Sequence, residues 1–230
     1  MDNTIRMIGI DLDGTLLTRQ KVLTSVSRAA LEQAIHMGVE VVPVTGRPLA
    51  GVPREVLEIP GIRYVITSNG ANTYDLSAQI EDRGRSILSG TMNGKTPGTV
   101  LHKAHLSHEV VRRVLDAAPG DKVIREIFIR GVGYHDPHTH AMLQERFSIA
   151  PPILDYIMRS RKVVSDFEEL LSNPSSHVEN ISLKPNGPGM DREHARQSSK
   201  SAGPVICLTC GPDDQRHPLR GTTIWTIQYA

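Results

Sequence analysis

Two aspartates one residue apart, Asp11 and Asp13, follow directly on an apolar run in the stretch "IGIDLDGTLLT". Carboxylates this close repel and raise each other's pKa unless a cation or a shared proton intervenes, and a hard divalent ion of the Mg²⁺ type is the usual answer. One acid can then attack an electrophile while the other, held protonated, serves a leaving group. Gly14 permits the sharp turn that aims backbone amides at an anion, and Thr15 adds a donor. Further along, "TGR" (Thr45, Gly46, Arg47) offers a hydroxyl and a charged fork suited to phosphate oxygens, and "SNGAN" (Ser68 to Asn72) supplies a third polar cluster. A calcium loop would carry its glycine later and a bidentate Glu beyond it, and an Asx turn accounts for only one aspartate.

The elements that must position these groups read as alternating strands and helices. "RMIGIDL" is apolar without polar alternation, which predicts a strand buried on both faces. "TSVSRAALEQAIHMG" predicts an amphipathic helix capped by Thr24 or Ser25 and ended by Gly38. "VEVVPVTG" predicts a second buried strand, "PLAGVPREVLEI" a helix, and "RYVITSNG" a third buried strand. That order is the pattern of an α/β fold with a parallel sheet and right-handed crossovers, half of an open Rossmann-like domain. In such sheets ligands sit at the carboxyl ends of the strands, where all three polar clusters fall.

From about Leu76 the sequence becomes rich in Gly, Ser and Thr with weak periodicity, which places a hinge near residues 80 to 90. Beyond it, "SHEVVRRVLDAA", "PPILDYIMRSRK", "SDFEELLSN" and "MDREHARQSSKSAG" read as helices. "KVIREIFIRGVGYH" reads as a strand or hairpin, and "HVENISLKP", "PVICLT" and "TTIWTIQYA" as strands. Such a mixture predicts an α+β layer with one sheet face covered.

"DLDGT", with Thr45 ending the next strand, resembles the first two motifs of the haloacid dehalogenase superfamily of phosphatases; "TGRPLAGV" and "SNGA" are similar to its Cof-type sugar-phosphatase branch. The resemblance implies a Rossmann-like core in residues 1–82 and an α+β type-two cap domain in 83–230. It implies that Asp11 forms an aspartyl-phosphate, that Asp13 is general acid and then base, and that Thr45 holds the transferring phosphoryl group. Mg²⁺ would bind the Asp11 carboxylate and the backbone carbonyl of Asp13. Gly14, Thr15, Gly46, Arg47, Asn69 and Gly70 would contact a small phosphorylated metabolite.

The superfamily also has a lysine motif and a G-D-x-x-x-D motif, and neither stands cleanly in this sequence. A complete core would put Arg192 at the lysine position and Asp213 or Asp214 near the metal, with His217 where the second acid belongs. Arg is a poor substitute for a compact ammonium at such a place. The preferred expectation is that the chain holds the N-terminal half of the core plus the cap, leaving one sheet edge bare. An enzyme of this class and a non-catalytic remnant or phospho-ligand-binding module are then the two functional readings.

The remaining signals narrow the field. Twenty-six Lys and Arg against 25 Asp and Glu, a formal charge of +1, give no global field for nucleic acid or an anionic membrane. The absence of a long apolar run predicts a cytoplasmic protein without a membrane span. Cys207 and Cys210 form one C-x-x-C, read as two half-buried thiols, since a structural zinc site needs twice as many. His135, Asp136, His138 and His140 in "YHDPHTH" match no standard zinc spacing and read as a solvated loop. His102, His105 and His108 read as surface residues that do not share one helix.

Overall fold

The computed structural model describes residues 5–77, 98–118, 120, 123–145, 151–185, 205–209 and 223–227. Their strands form two sheets. The first has the order β1-β2-β3-β4-β5, from β1 (Met7–Asp11), β2 (Glu40–Val44), β3 (Tyr64–Thr67), β4 (Asn72–Asp75) and β5 (Thr99–Lys103). β1, β2 and β3 run parallel, with Met7 opposite Glu40 and Asp11 opposite Val44, whereas β4 and β5 are antiparallel additions. The α/β class with a parallel-containing sheet is therefore the class expected.

Helix α1 (Ser25–His36) links β1 to β2. The Thr24 hydroxyl accepts from the Ser27 amide, and Gly38, at φ +83, takes the left-handed position that ends the helix. The helix expected over residues 48–59 is split in two: a single 3₁₀ turn, Leu49–Gly51, and a one-turn α2 (Arg54–Leu57). Pro53 is the reason, because it forces Val52 into an extended conformation (ψ 128). Leu49, Val56, Leu57, Ile62 and Val65 still reach the core of this sheet with Leu12, Leu31 and Val41.

β1 differs from its expected burial. It pairs only with β2 among the described strands, and Met7 is 64% exposed. An apolar strand of a parallel sheet thus lies at an open edge, with its outer row of amides and carbonyls unpaired by any described strand.

The second sheet has the order β11-β10-β9-β6-β7-β8. β6 (Val123–Ile129) and β7 (Val132–His135) form a hairpin whose turn residues Arg130 and Gly131 both have positive φ, 51 and 75, as a tight two-residue turn requires. β9 (Val178–Pro185) pairs with β6, and β8 (Arg161–Val163) runs parallel to β7. β10 (Val205–Thr209) and β11 (Thr223–Ile227) extend the sheet. Helices α3 (His108–Ala117) and α6 (Phe167–Leu171) contribute Val111, Leu115, Phe167 and Leu171 to a core with Ile127, Val178 and Ile181. α4 (Pro137–Glu145) and α5 (Pro151–Ser160) lie between β7 and β8 in the chain.

A buried carboxyl joins the two sheets. Glu179 on β9 accepts from the Ser68 hydroxyl (2.7 Å) and from the Gly131 amide (2.6 Å), and burial pushes its pKa up. The Ala50 amide donates to the Gly131 carbonyl at 2.9 Å on the same seam.

"YHDPHTH" is not a solvated loop. His135 is buried at the end of β7, with Nε2 3.0 Å from Nδ1 of His140, and the Asp136 carboxylate accepts from the Thr139 amide in the first turn of α4 (2.7 Å). Pro137 opens that helix, where a missing N–H costs nothing. His102 sits on exposed β5, but His105 is half-buried and stacked on His177 at 4.8 Å, and His108 begins α3. The hinge near residues 80 to 90 lies outside the described residues. So do Arg192, Cys210, Asp213, Asp214 and His217, and Cys207 is described only as part of β10.

Burial holds the pKa of His135 down to about 4 from 6.5, so the unfolded chain takes up this proton first as the pH falls. Folding stability therefore falls between pH 6.5 and 4. Urea unfolding at pH 7 and pH 5 is expected to show a His135 contribution to that loss on the order of 1–2 kcal/mol. His135→Gln removes this contribution and leaves those of His105 and His177.

Candidate active site

The floor of the site is built by the carboxyl ends of β1, β2 and β3. Leu12 is fully buried beneath the sheet end, so alternation about it turns Asp11 and Asp13 to the same, outer side. Gly14, at φ +88, reverses the chain, and the Leu16 and Leu17 amides close the turn on the Asp11 and Leu12 carbonyls at 3.1 and 2.8 Å. Thr45 is buried, and its hydroxyl accepts from the Arg47 amide at 3.1 Å. The third segment is tied to the second by backbone bonds, Asn69 to the Thr45 carbonyl (3.2 Å) and Ser68 to the Arg47 carbonyl (2.9 Å). The Asn69 side chain packs closely over Gly46, where a Cβ would stand 2.7 Å from its Oδ1 and push it aside.

Arg47 organises this floor. Its Nε and Nη2 donate to the two oxygens of Asp13 at 2.6 and 2.7 Å, and Nη1 donates to the Gly51 carbonyl at 2.8 Å. Lys21 adds a third bond to Asp13 at 2.7 Å. Burial alone would raise the pKa of Asp13, but the Arg47 and Lys21 bonds and charges outweigh it and hold the carboxyl below its ordinary range. Asp11, by contrast, accepts only a long bond from Thr15, at 3.3 Å, among the interactions described.

The cleft above the floor has a volume of about 450 Å³. Asp11, Asp13, Thr45, Gly46, Arg47 and Asn69 line it; Gly14, Thr15 and Gly70 support the loops without lining it. Its roof comes from the second sheet and α5. Tyr156 lies between two guanidinium groups, Arg47 at 4.1 Å and Arg161 at 4.8 Å from the ring centre, so an aromatic ring couples floor to roof. A Cβ on Gly51 would fall 2.6 Å from the Tyr156 ring, which is why the chain passes there without a side chain. Glu126, buried on β6, accepts from Arg161 (3.0 Å) and from Lys184 (3.2 Å). Burial opposes its ionisation, but Lys184 and Arg161 prevail and hold its pKa far below the usual carboxylate range.

Sequence reasoning missed Lys21 and the whole roof. For Lys21 there was no periodic signal. For the roof there were two: Glu126 is a lone acid inside the apolar run "IREIFI", and the alternation of "HVENISLKP" puts Asn180, Ser182 and Lys184 on one face.

A hard divalent cation fits this floor by charge. Asp11 and Asp13 are balanced by Lys21 and Arg47, so a phosphomonoester dianion would leave two negative charges, and Asp11 remains without a cation partner among the described ion pairs. Mg²⁺ is commonly held by one or two carboxylates, with waters and phosphate oxygens completing its shell. No group of three His, Cys, Asp or Glu side chains suited to a metal exists among the described residues.

Because the folded pKa of Asp13 lies below its unfolded value, its stabilising contribution is present above pH 4 and lost as the pH falls through the folded value. Asp13→Asn is expected to cost about 2 kcal/mol at pH 7, since it leaves buried Arg47 without its counter-charge. The wild-type and variant denaturation midpoints should converge as the pH is lowered through the range below 4.

Residues 8–85 match the family model of the haloacid dehalogenase-like hydrolases. The 5-amino-6-(5-phospho-D-ribitylamino)uracil phosphatase YcsE of Bacillus subtilis (strain 168) is 33% identical over 82 residues, 36% of this chain and 33% of that protein. Among solved structures, a haloacid dehalogenase-like hydrolase from B. subtilis superposes with a TM-score of 0.59 at 20% identity, covering 89% of this chain and 70% of that one. A subclass IIB sugar phosphatase of the same superfamily gives 0.57 at 18% identity, covering 97% and 71%. These two likenesses show the fold. The matched segments of the curated relatives are between 25% and 37% of those proteins' length. The segment that carries Asp11, Asp13, Thr45 and Arg47 is thus the part of the chain that is similar to the haloacid dehalogenase-like hydrolases.

Proposed function

We propose that the cleft binds a small phosphorylated metabolite, such as a sugar phosphate, with its phosphoryl group on the floor and its organic part under the roof, and that it hydrolyses the phosphoric monoester. The observation that carries this reading is the convergence of Asp11, Thr45, Arg47 and Asn69, from three strand ends, on one roofed cleft. On this reading residues 1–82 are a core half and 83–230 a cap, with β5 reaching back to the first sheet, and the protein acts in the cytoplasm.

A carboxylate oxygen of Asp11 attacks phosphorus, the ester P–O bond breaks, and the leaving oxygen takes a proton from Asp13. Water then attacks the aspartyl-phosphate, gives its proton to Asp13 and restores the Asp11 carboxylate. Thr45 donates its hydroxyl to a phosphoryl oxygen. Mg²⁺ would be held by the Asp11 carboxylate and the Asp13 carbonyl and would supply positive charge to the phosphoryl oxygens. Arg47 and Lys21 have a double part. Phosphoryl oxygens compete with Asp13 for their N–H donors, and as these let go the pKa of Asp13 rises toward a value at which it can carry a proton.

The same bonds favour a second reading, binding without turnover. Asp13 is held ionised by three charge-assisted bonds, so a ligand that fails to displace them meets no acid for its leaving group.

Hydrolysis of p-nitrophenyl phosphate by the full chain separates the two. Mg²⁺-dependent release that Asp11→Asn lowers by about 10³-fold or more supports the hydrolase. A folded sample that binds phosphate and releases no nitrophenol supports the binding module.

A further inference from the structure

We infer that Asn180 is a specificity residue of the cleft, reading the organic part of the ligand through one hydrogen-bond donor and one acceptor offered side by side. The inference rests on the phosphoryl-binding reading of the floor and names what the roof recognises.

Asn180 is 1% exposed, and neither Oδ1 nor Nδ2 has a partner among the described residues. Among the described residues, no other residue that lines the cleft has a buried side-chain polar atom without a partner. Asn180 lines it and lacks partners for both its functions. Buried amides are rarely left so, because the lost hydration is not returned.

Its surroundings define what would fill it. β9 alternates, so Asn180, Ser182 and Lys184 face the cleft while Ile181 and Leu183 pack into the core. The charged neighbours are already engaged: Lys184 and Arg161 both donate to Glu126, and Arg161 also lies 5.3 Å from the centre of the Phe128 ring. Beside these engaged charges, Asn180 offers a capacity that is neutral and paired. An amide with both atoms free matches a group that presents an acceptor next to a donor. A vicinal diol and a lactam edge share that chemistry; an alkyl chain has none of it, and would strand both atoms of Asn180 in a dry contact. In the free protein a water can occupy the position, and a head group that reproduces its bonds displaces it without loss.

Three phosphates test this by calorimetry on the full chain carrying Asp11→Asn, which prevents turnover. Butyl phosphate has no polar head, sorbitol 6-phosphate has diols and no lactam, and thymidine 5′-monophosphate has a lactam and no vicinal diol. At least one of the latter two is expected to bind about tenfold to a hundredfold more tightly than butyl phosphate, and which one does identifies the source of the paired groups. Asn180→Leu, of similar volume, should erase that advantage, bind butyl phosphate at least as tightly as the parent does, and not lower the melting temperature, because it removes two unsatisfied atoms. Asn180→Ala provides the same comparison if the larger side chain disturbs packing. An advantage that survives both substitutions, or polar heads that gain nothing over butyl phosphate, overturns the inference while the phosphoryl reading stands. Failure of all three phosphates to bind overturns both.

Discussion

The arrangement depends on one buried cation. Arg47 is only 4% exposed, and a guanidinium so placed must have every direction of its fork met by an acceptor or a ring face. Asp13 takes two donors, the Gly51 carbonyl a third, and the Tyr156 ring covers the plane. Each of these partners comes from a different piece of chain: the loop after β1, the 3₁₀ turn after β2, and a helix of the roof. To satisfy Arg47 is therefore to fix the distance between the ends of the first two strands and to seat α5 over them.

Much of the floor was legible in the sequence because it is local. A strand end followed by D-x-D-G-T, and another followed by T-G-R, need only a parallel pairing to bring their polar residues together, and apolar runs announce such strands. The helix expected after β2 divides because the steric effect of Pro53 on Val52 is a stronger constraint over so short a span than the apolar pattern of "PLAGVPREVLEI". The burial of β1 departs from expectation for a different reason. Its composition is that of a strand with neighbours on both sides, but exposure is set by which strands are present, and β2 alone borders it among those described.

The roof was illegible because its chemistry depends on register between strands distant in sequence. Glu126 and Lys184 approach through the pairing of β6 with β9, and Arg161 arrives at the start of β8, four elements after β6. No spacing rule in one dimension joins residues 126, 161 and 184. The same distance explains why Glu179 looks ordinary in the sequence, although it is the carboxyl that takes donors from the segments of both sheets.

Floor and roof distribute their charges differently, and the difference bears on what a ligand can do in the cleft. On the roof, one acid faces two bases at a site where Glu126 is only 3% exposed, so separating these charges would leave a buried ion and the cluster behaves as a fixed wall. On the floor, Asp13 keeps 21% of its side chain exposed and Lys21 keeps 24%, so that pair can open toward water at little cost while Arg47 stays buried. On the proposed function, an arriving phosphoryl group would meet Lys21 first and Arg47 second. The donors it would win from Asp13 are the ones that keep that carboxyl ionised, so on that reading its anchoring and the recovery of a usable acid would be coupled through the same three hydrogen bonds. A ligand whose head is refused by the roof would be held too shallowly to reach Arg47, and discrimination made at Asn180 would then be expressed at Asp13.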